Sequence, residues 1–264
     1  MVRDDAGPGR FLDHEYPQVI PEPDEIRVGS PAPWAALGSD ERQGFTLELV
    51  QRRLEEARRS LDTTSMPGEP AELATVADDA PRPVTRRSAV LVALFEEEGE
   101  TEVILTRRAR TMRSHRGEIA LPGGRSDHDE TPIATALREA HEEVGIEPSL
   151  VTPIGWLTPI VTFASGSAIW PVVGVLERRP ELVIHPSEVE RVFTVALRDL
   201  LAEDVFLEEQ WRRTDARHLA DHEGFFPIYF YRVPEDVIWG ATARVLTELL
   251  CVVTRTNWSD ADRV

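Results

Sequence analysis

The sequence has a single cysteine, no long hydrophobic run and few basic residues for its 264 residues. Because a disulfide needs two thiols, Cys251 excludes an internal disulfide, and its apolar neighbours indicate a buried thiol. The longest apolar stretch, SAVLVALF from Ser88, is far shorter than a membrane span, so we expect no membrane partner. The opening MVRDDAGPGR lacks an apolar signal core, and the expected location is therefore cytoplasmic.

Acidic residues outnumber basic ones by 47 to 29, which gives a net charge of -18. Such a surface repels a phosphate backbone, so we expect no nucleic-acid partner. The stretch from Thr101 to Arg125 is the exception, because it holds six arginines and only two acidic residues. This local excess could attract a small anionic ligand, but composition alone favours the alternative of a solvated basic face.

Composition divides the chain into four parts. Residues 1–40 are rich in proline and acidic residues and predict an extended arm that Trp34 anchors in part. Residues 41–62 predict an amphipathic helix, residues 63–86 a Pro-rich linker, and residues 87–264 the main domain. With fewer than three heptads, this helix favours docking on the main domain, and pairing of two copies into a homodimer is the alternative.

The main domain predicts an α+β fold. The runs SAVLVALF and TEVILTRR, separated by EEEGE, predict a β-hairpin. One helix is expected over Pro132–Val144. Another is expected after Pro234, with Ile238, Val245, Leu249 and Val252 on one face. Further strands are expected over Ile154–Leu157, Ser167–Leu176, Arg191–Ala196 and Phe225–Val233. This mixture predicts a mixed β-sheet covered by helices on both faces.

The helix over Pro132–Val144 has clear end signals, with Thr131 at the N-cap position and Gly145 at the C-terminal end. Its apolar residues form one core-facing stripe, and three carboxylates, Glu139, Glu142 and Glu143, lie on the other side. Carboxylates spaced at i, i+3 and i+4 repel one another unless a cation bridges them. A solvated acidic face is the alternative interpretation of this pattern alone.

From Gly124 to Ile146 the sequence reads G-x5-E-x7-R-E-A-x-E-E-x-G-I. This resembles the box of the Nudix hydrolase family, G-x5-E-x7-R-E-U-x-E-E-x-G-U, in which U is a bulky aliphatic residue. Only Ala140 departs from the pattern, and we expect a local packing adjustment because it faces the core. The resemblance implies a Nudix-like α/β/α sandwich, here with an N-terminal helical extension, and hydrolysis of a pyrophosphate bond.

The resemblance also implies a divalent cofactor, Mg²⁺ or Mn²⁺. The glutamates that match the family's metal ligands are Glu139, Glu142 and Glu143, and the carbonyl oxygen of Gly124 matches a further ligand. Ligands that are all oxygen suit these hard cations.

The catalytic residues implied by the family are Arg138 and the same three glutamates. In this family an arginine matching Arg138 orients a glutamate, and the residue matching Glu130 has a supporting role. The general base varies within the family, so Glu188 and Glu190 are candidates outside the box.

The segment before the box, ILTRRARTMRSHRGEIALPGG, resembles the signature of the coenzyme A pyrophosphatase branch, L-L-T-x-T-[SA]-x3-R-x3-G-x3-F-P-G-G. Arg108 stands where this pattern has Thr, and Leu121 stands where it has Phe. The expected substrate-binding residues are Arg113 and Gly117, which match the signature, and Arg107 of the same basic segment. Arginine forks would suit the diphosphate and the 3'-phosphate of coenzyme A. The matching positions are Leu105, Thr106, Ala109, Arg113, Gly117, Pro122, Gly123 and Gly124.

The implied reaction splits coenzyme A, or a derivative of it, into 3',5'-ADP and 4'-phosphopantetheine or its derivative. A hydrolase for ADP-ribose or for a dinucleotide such as NADH is one alternative, and a catalytically silent nucleotide sensor is another. His218 and His222 have the i, i+4 spacing of a transition-metal pair, but no third ligand accompanies them, so they are not assigned a metal.

Overall fold

The computed structural model describes residues 18–21, 23–60, 86–112, 114–161, 167–212 and 224–258. The linker predicted over residues 63–86 lies outside these ranges except for Arg86, as do Arg113, His218 and His222. None of the helices within these ranges has the length and apolar character needed to cross a bilayer.

The described strands are β1 Ile26–Val28, β2 Arg86–Glu97, β3 Glu100–Arg108, β4 Ile119–Ala120, β5 Gly123–Arg125, β6 Val151–Trp156, β7 Ile160–Val161, β8 Ser167–Leu176, β9 Val189–Ala196, β10 Phe206–Arg212, β11 Phe225–Val233 and β12 Asp236–Trp239. The described α-helices are α1 Leu47–Ser60, α2 Pro132–Val144, α3 Leu197–Leu200 and α4 Gly240–Thr254.

Strands β2 to β9 form one main sheet. Its strand order is β4-β3-β2-β8-β6, while β5 pairs with β2, β7 with β8 and β9 with β3. The β2–β8 pair is parallel and the other pairs are antiparallel, so the sheet is mixed. Helix α2 covers one face, and α1 and α4 cover the other. This arrangement confirms the predicted α+β fold with a mixed sheet between helices.

The two layers follow from the alternation of side chains along the central strand β2. One set of its residues is buried with the apolar residues of α2, and the other set is buried with those of α1 and α4. A strand covered on both faces needs a nearly continuous apolar run, which is what this stretch of sequence provides. The first set is Ala89, Leu91, Ala93 and Phe95, and the second includes Val92 and Leu94.

The predicted hairpin is confirmed, but β2 and β3 pair only near their turn, from Leu94 opposite Val103 to Glu97 opposite Glu100. Farther along, β4 pairs with β3 and β5 pairs with β2. The segment from β4 to β5 therefore lies between the two strands. This insertion brings the glycines that precede α2 to the centre of the sheet.

A second sheet, with the order β1-β10-β11-β12, was not predicted as a separate layer. Its strand β10 reads FLEEQWR, and the buried carboxylates Glu208 and Glu209 interrupt the apolar pattern that would have marked it. Ile238 was predicted on the last helix but lies in β12, because the chain stays extended to Trp239 and α4 begins only at Gly240.

The segment before the linker packs into the same core. Trp34 is buried, with its ring centroid 5.3 Å from that of Phe206. The backbone N–H of Leu47, at the start of α1, donates to the carboxylate of Glu96 at 2.8 Å. Val50 of α1 is fully buried together with residues of α4. These contacts attach the N-terminal helix to the face of the main sheet opposite α2.

Candidate active site

Helix α2 has the ends that the sequence predicted. The hydroxyl of Thr131 accepts a hydrogen bond from the N–H of Ala134 at 3.2 Å, and Pro132 occupies the first turn. At the other end Gly145 has a φ of 73° and its N–H donates to carbonyls of the last turn. These ends fix the rotation of the helix, and Ala140 is fully buried against the sheet as expected.

Arg138 connects the carboxylates on the outer side of α2. Its Nε and Nη2 donate to the two oxygens of Glu130 at 2.8 and 2.9 Å. Its Nη1 donates to Glu139 at 2.8 Å and to Glu142 at 3.1 Å. The hydrogen bonds from Arg138 are the main reason that the pKa of Glu130 is lowered to about 2. Glu130 thus keeps its negative charge and fixes the guanidinium between the other carboxylates.

Glu143 is buried, with 3% of its side chain exposed. One carboxylate oxygen accepts a hydrogen bond from the N–H of Gly123 at 3.1 Å, and the other lies 3.5 Å from Nη1 of Arg108. Burial raises the pKa of Glu143 to about 7, although both partners act in the opposite direction. The sequence predicted all three box glutamates on the solvent side. Glu143 corrects that expectation, because its carboxylate reaches inward to the glycine pair, Gly123 and Gly124, at the start of β5.

Glu139 lies directly against Gly124. A Cβ at position 124 would overlap the carboxyl group of Glu139, so only glycine leaves room for this contact. The side chain of Glu139 is 16% exposed. Burial is the largest cause of its raised pKa, the hydrogen bond from Arg138 opposes this rise, and the charge of Glu142 adds to it. Arg138 therefore compensates the negative charges of Glu139 and Glu142 only in part.

Glu142 extends toward solvent, with 57% of its side chain exposed. Within the described ranges, no three carboxylate, imidazole or thiol side chains are gathered closely enough to enclose an ion. Glu139 and Glu142 are both hydrogen-bonded to Arg138. Binding of a cation by the three glutamates therefore requires rotation of at least Glu142, whose exposed position leaves it free to turn.

Of the two candidate general bases, only Glu188 lies near the box carboxylates. The N–H of His185 donates to the carbonyl of Glu143 at 2.9 Å, which brings the segment before β9 against the end of α2. Burial is the main cause of the raised pKa of Glu143, and the negative charge of Glu188 adds to it. Glu190 instead lies 3.4 Å from the guanidinium of Arg110.

A pocket of about 360 Å³ adjoins the glycine pair and is lined by both Gly123 and Gly124. Its walls are largely apolar, and the first turn of α4 closes one side. Apolar walls with a few polar groups are typical of a small-molecule site. The apolar walls include Val90, Ile169 and Trp239, and the charged or ionisable side chains are Arg108, His115 and Glu118.

A family model described as "NUDIX domain" matches residues 85–221, just over half of the chain. The chain belongs to the Nudix family. "Nudix hydrolase 22, chloroplastic" of Arabidopsis thaliana is 36% identical over 174 residues, covering 64% of this chain and 55% of that protein. "Uncharacterized Nudix hydrolase NudL" of Photorhabdus laumondii is 36% identical over 165 residues, covering 62% of this chain and 83% of that protein. This chain thus spans just over half the length of its Arabidopsis relative. A crystal structure of a C. elegans Ap4A hydrolase binary complex is 20% identical in sequence, and the match covers 44% of this chain and 82% of that chain with a TM-score of 0.38.

The residues expected to bind substrate before the Nudix box lie in different places. Arg107 forms a two-point ion pair with the fully buried Asp236 of β12, at 3.0 and 2.5 Å. This pair joins the two sheets and leaves little of the guanidinium for a substrate, and Arg107 does not line the pocket. Gly117 has a φ of 69°, and its N–H donates to the carbonyl of Arg108, so it serves a turn. Arg113 lies outside the described residues.

Three pocket residues, Arg108, His115 and Glu118, were not assigned to the site from the sequence. For Arg108 a signal exists, because alternate residues of a strand share a face. Ile104 of β3 lies in the core beneath the Nudix helix α2, so Arg108 is expected on that side and Arg107 on the other. No comparable pattern marks His115 or Glu118, which both lie in the loop between β3 and β4.

The Nudix box residues fit a divalent cation on three structural grounds. The side chains brought together here are carboxylates, whose oxygens are the ligands that hard cations prefer, and the carbonyl of Gly124 is the further ligand expected from the sequence. Burial raises the pKa of both Glu139 and Glu143, and a cation would stabilise their ionised forms. The missing side chain at Gly124 leaves the space that Glu139 occupies.

Proposed function

We propose that this Nudix protein hydrolyses the pyrophosphate bond of coenzyme A or one of its derivatives, with Mg²⁺ or Mn²⁺ as cofactor. The products would be 3',5'-ADP and 4'-phosphopantetheine or its derivative. The proposal depends chiefly on one observation: Glu139, Glu143 and Arg138 lie together beside the glycine pair, Gly123 and Gly124, which also lines the pocket. The names of the Arabidopsis and Photorhabdus relatives support hydrolysis and specify no substrate.

In this proposal Glu139, Glu142, Glu143 and the carbonyl oxygen of Gly124 hold the cation. When bound, Mg²⁺ or Mn²⁺ would neutralise the diphosphate oxygens and lower the pKa of the attacking water. Arg138, fixed by Glu130, would keep Glu139 and Glu142 aligned to hold the cation. Such supporting hydrogen bonds are often as important to a metal site as the ligands themselves.

The proton of the attacking water needs an acceptor, and Glu188 is the better placed of the two candidates. Its charge acts on Glu143, so it lies on the same side of α2 as the box carboxylates. Glu190 is paired with Arg110 and with Arg107, at 3.4 and 3.7 Å. We therefore assign the role of general base to Glu188.

The pocket would hold the organic part of the substrate. Its apolar walls and the ring of Trp239 suit an adenine or a pantetheine chain, while the charged residues at the same pocket suit phosphate groups. A small nucleotide derivative as substrate fits a volume of about 360 Å³. Three predictions from the sequence stay predictions. They are the absence of a nucleic-acid or membrane partner, a homodimer as the alternative to a monomer, and a cytoplasmic location.

Two alternatives remain for the same box. Hydrolysis of ADP-ribose or a dinucleotide would use the same carboxylates, because these compounds share the diphosphate. The replacement of Phe by Leu121 and of Thr by Arg108 in the coenzyme A signature favours this alternative. A non-catalytic nucleotide sensor would not need a complete set of glutamates, and here the set is complete.

A substrate panel tests the proposal. The protein is incubated with coenzyme A, ADP-ribose and NADH in the presence of Mg²⁺ or Mn²⁺, and the products are identified by mass. We expect 3',5'-ADP from coenzyme A, and no products when EDTA is present. Turnover of ADP-ribose or NADH alone would contradict the assignment of coenzyme A. Turnover of none of the three, with the metals supplied, would favour the sensor.

A further inference from the structure

Arg108 touches both halves of the candidate active site. Its Nη1 lies 3.5 Å from the carboxylate of Glu143, and its side chain also lines the pocket. Strands β2 and β3 diverge at this point, because β4 and β5 lie between them. The guanidinium therefore stands between the proposed metal carboxylates and the space for the organic part of the substrate.

Arg108 also has unused hydrogen-bonding capacity. Its Nε is buried and has no hydrogen-bond partner among the residues that the structure describes. Its contact with Glu143 is long for a charged hydrogen bond, at 3.5 Å. A buried donor without a partner is costly, and an arginine with free donors on one edge is suited to bind an oxyanion. Arg107, its neighbour on β3, lacks this capacity because both of its edges face acidic side chains.

A second ionisable side chain, that of His115, lines the same pocket. The Nδ1 of His115 lies 2.9 Å from a carboxylate oxygen of Glu118, which fixes the orientation of the imidazole ring. This hydrogen bond is the main cause of the raised pKa of His115, while burial and the charge of Arg108 act in the opposite direction. His115 has a φ of 56°, so the backbone adopts a conformation that is uncommon for residues other than glycine.

We propose that Arg108 and His115, the latter held by Glu118, form a phosphate-binding cluster on the pocket side of the Nudix carboxylates. The cluster binds a phosphate group of the substrate through arginine donors and the imidazole, and it does not require the cation. Arg108 and His115 are thus substrate-binding residues, and Glu118 is a positioning residue. The identity of the substrate comes from the proposed function, but the binding of phosphate can be measured without it.

Two phosphates of a coenzyme A-like substrate could occupy this cluster: the 5'-phosphate that belongs to the scissile diphosphate, or the 3'-phosphate. The chemistry of recognition is the same for both. Three compounds distinguish the two phosphates. Adenosine carries neither phosphate, 5'-AMP carries the 5'-phosphate, and 3',5'-ADP carries both.

The binding experiment uses calorimetry on the full chain in EDTA, with these three compounds as probes. Arg108→Thr introduces the residue of the coenzyme A signature, and Arg108→Lys keeps a cation beside Glu143 if the first variant is unstable. His115→Gln tests the imidazole. Matched controls are Arg110→Thr and His128→Gln, because both side chains are exposed and neither lines the pocket. Melting temperatures show whether each variant is folded.

For the wild type we expect 3',5'-ADP to bind more tightly than adenosine, and 5'-AMP to do so as well if the cluster holds the 5'-phosphate. Loss of charged hydrogen bonds should weaken phosphate binding about tenfold or more in Arg108→Thr and His115→Gln, and less than about twofold in the controls. An equal loss with 5'-AMP and 3',5'-ADP assigns the 5'-phosphate, and a loss with 3',5'-ADP alone assigns the 3'-phosphate. The proposal is overturned if the wild type prefers neither phosphorylated probe over adenosine, or if Arg108→Thr and Arg110→Thr bind alike.

The two proposals can fail separately. If coenzyme A is hydrolysed but Arg108→Thr binds the probes as Arg110→Thr does, only the phosphate-binding cluster is wrong. If the cluster variants lose phosphate binding while the wild type hydrolyses no member of the substrate panel, only the proposed function is wrong.

Discussion

Arg138 and Glu130 form a two-point ion pair, from Nε to Oε1 at 2.8 Å and from Nη2 to Oε2 at 2.9 Å. A lysine has no planar fork and cannot make both hydrogen bonds while also reaching Glu139. We expect Arg138→Lys to lower kcat/KM about tenfold or more, since charged hydrogen bonds of this kind contribute roughly 1.5 to 3 kcal/mol each. Arg179→Lys, which changes an exposed pair with Glu97, is the control. Steady-state kinetics of Arg138→Lys that match the wild type would show that the pair does not support catalysis.

Glu142 is the exposed member of the three box glutamates, so its replacement should spare the fold. We expect Glu142→Gln to lower kcat by roughly 100-fold or more, because a catalytic cation contributes several kcal/mol to the transition state. Circular dichroism and the melting temperature should stay close to those of the wild type. Glu147→Gln changes another exposed glutamate just beyond the same helix and should retain activity. An unchanged kcat in Glu142→Gln would refute a metal-binding role for this side chain.

The contact between Gly124 and Glu139 predicts an unusual sensitivity to one methyl group. Gly124→Ala should weaken cation binding about tenfold or more, because the new Cβ displaces the carboxylate of Glu139. Gly155→Ala is the control, since a Cβ there meets no atom within 4 Å. Titration calorimetry with Mn²⁺ measures both variants. Equal affinities for the two variants would show that the position of Glu139 does not matter to the cation.

The raised pKa of Glu143 predicts a pH dependence of cation binding. At a pKa of about 7, the buried carboxyl group is largely protonated in mildly acidic solution and ionised in mildly alkaline solution. A cation binds the ionised form, so affinity should rise with pH up to about 8, and proton release should be larger near pH 6 than near pH 8.5. Calorimetry in two buffers of different ionisation enthalpy measures the released protons.

The same shift has a consequence for stability. Between the unfolded-state pKa, near 4.5, and about 7, the folded metal-free protein holds an extra proton on Glu143, so this group's contribution to stability falls as pH rises. Thermal melts in EDTA should show this fall, and added Mn²⁺ should offset it. If calorimetry shows the same proton release on cation binding near pH 6 and near pH 8.5, the raised pKa of Glu143 is contradicted.

Glu188 and Glu190 are the two sequence-based candidates for the general base, and substitution of each one distinguishes them. We expect Glu188→Gln to lower kcat by roughly 100-fold or more, with little change in KM, because general-base catalysis contributes about that much. Glu190→Gln should leave kcat within about threefold of the wild type, since its partners are Arg107 and Arg110. The reverse order of the two effects would assign the base to Glu190.

Local signals in the sequence were sufficient for the Nudix helix and the main sheet. Thr131 and Gly145 mark the ends of α2, and the apolar runs mark β2 and β3. The Nudix family was expected from the resemblance of residues 124–146 to the family's box, and it is confirmed by the match over residues 85–221. These features depend on short stretches of chain, which is why sequence patterns predict them.

The features that the sequence did not predict depend on contacts between distant segments. The pairing of Arg107 with Asp236 joins residues that are 129 positions apart, and no local pattern indicates it. The burial of Glu143 follows from the insertion of β4 and β5 between two strands, which periodicity along α2 does not reveal. For the same reason the sequence favoured Arg107 for substrate binding, whereas Arg108 borders the pocket.

The central claim is that Glu139, Glu142 and Glu143 bind a divalent cation for hydrolysis of a diphosphate. Diffraction from crystals soaked in Mn²⁺, recorded where manganese scatters anomalously, locates the ion without reference to activity. We expect an anomalous peak within roughly 2.5 Å of oxygens from these three carboxylates, with Glu142 rotated toward it. An anomalous map with no peak between the three carboxylates, from crystals of the catalytically active protein, would contradict the account.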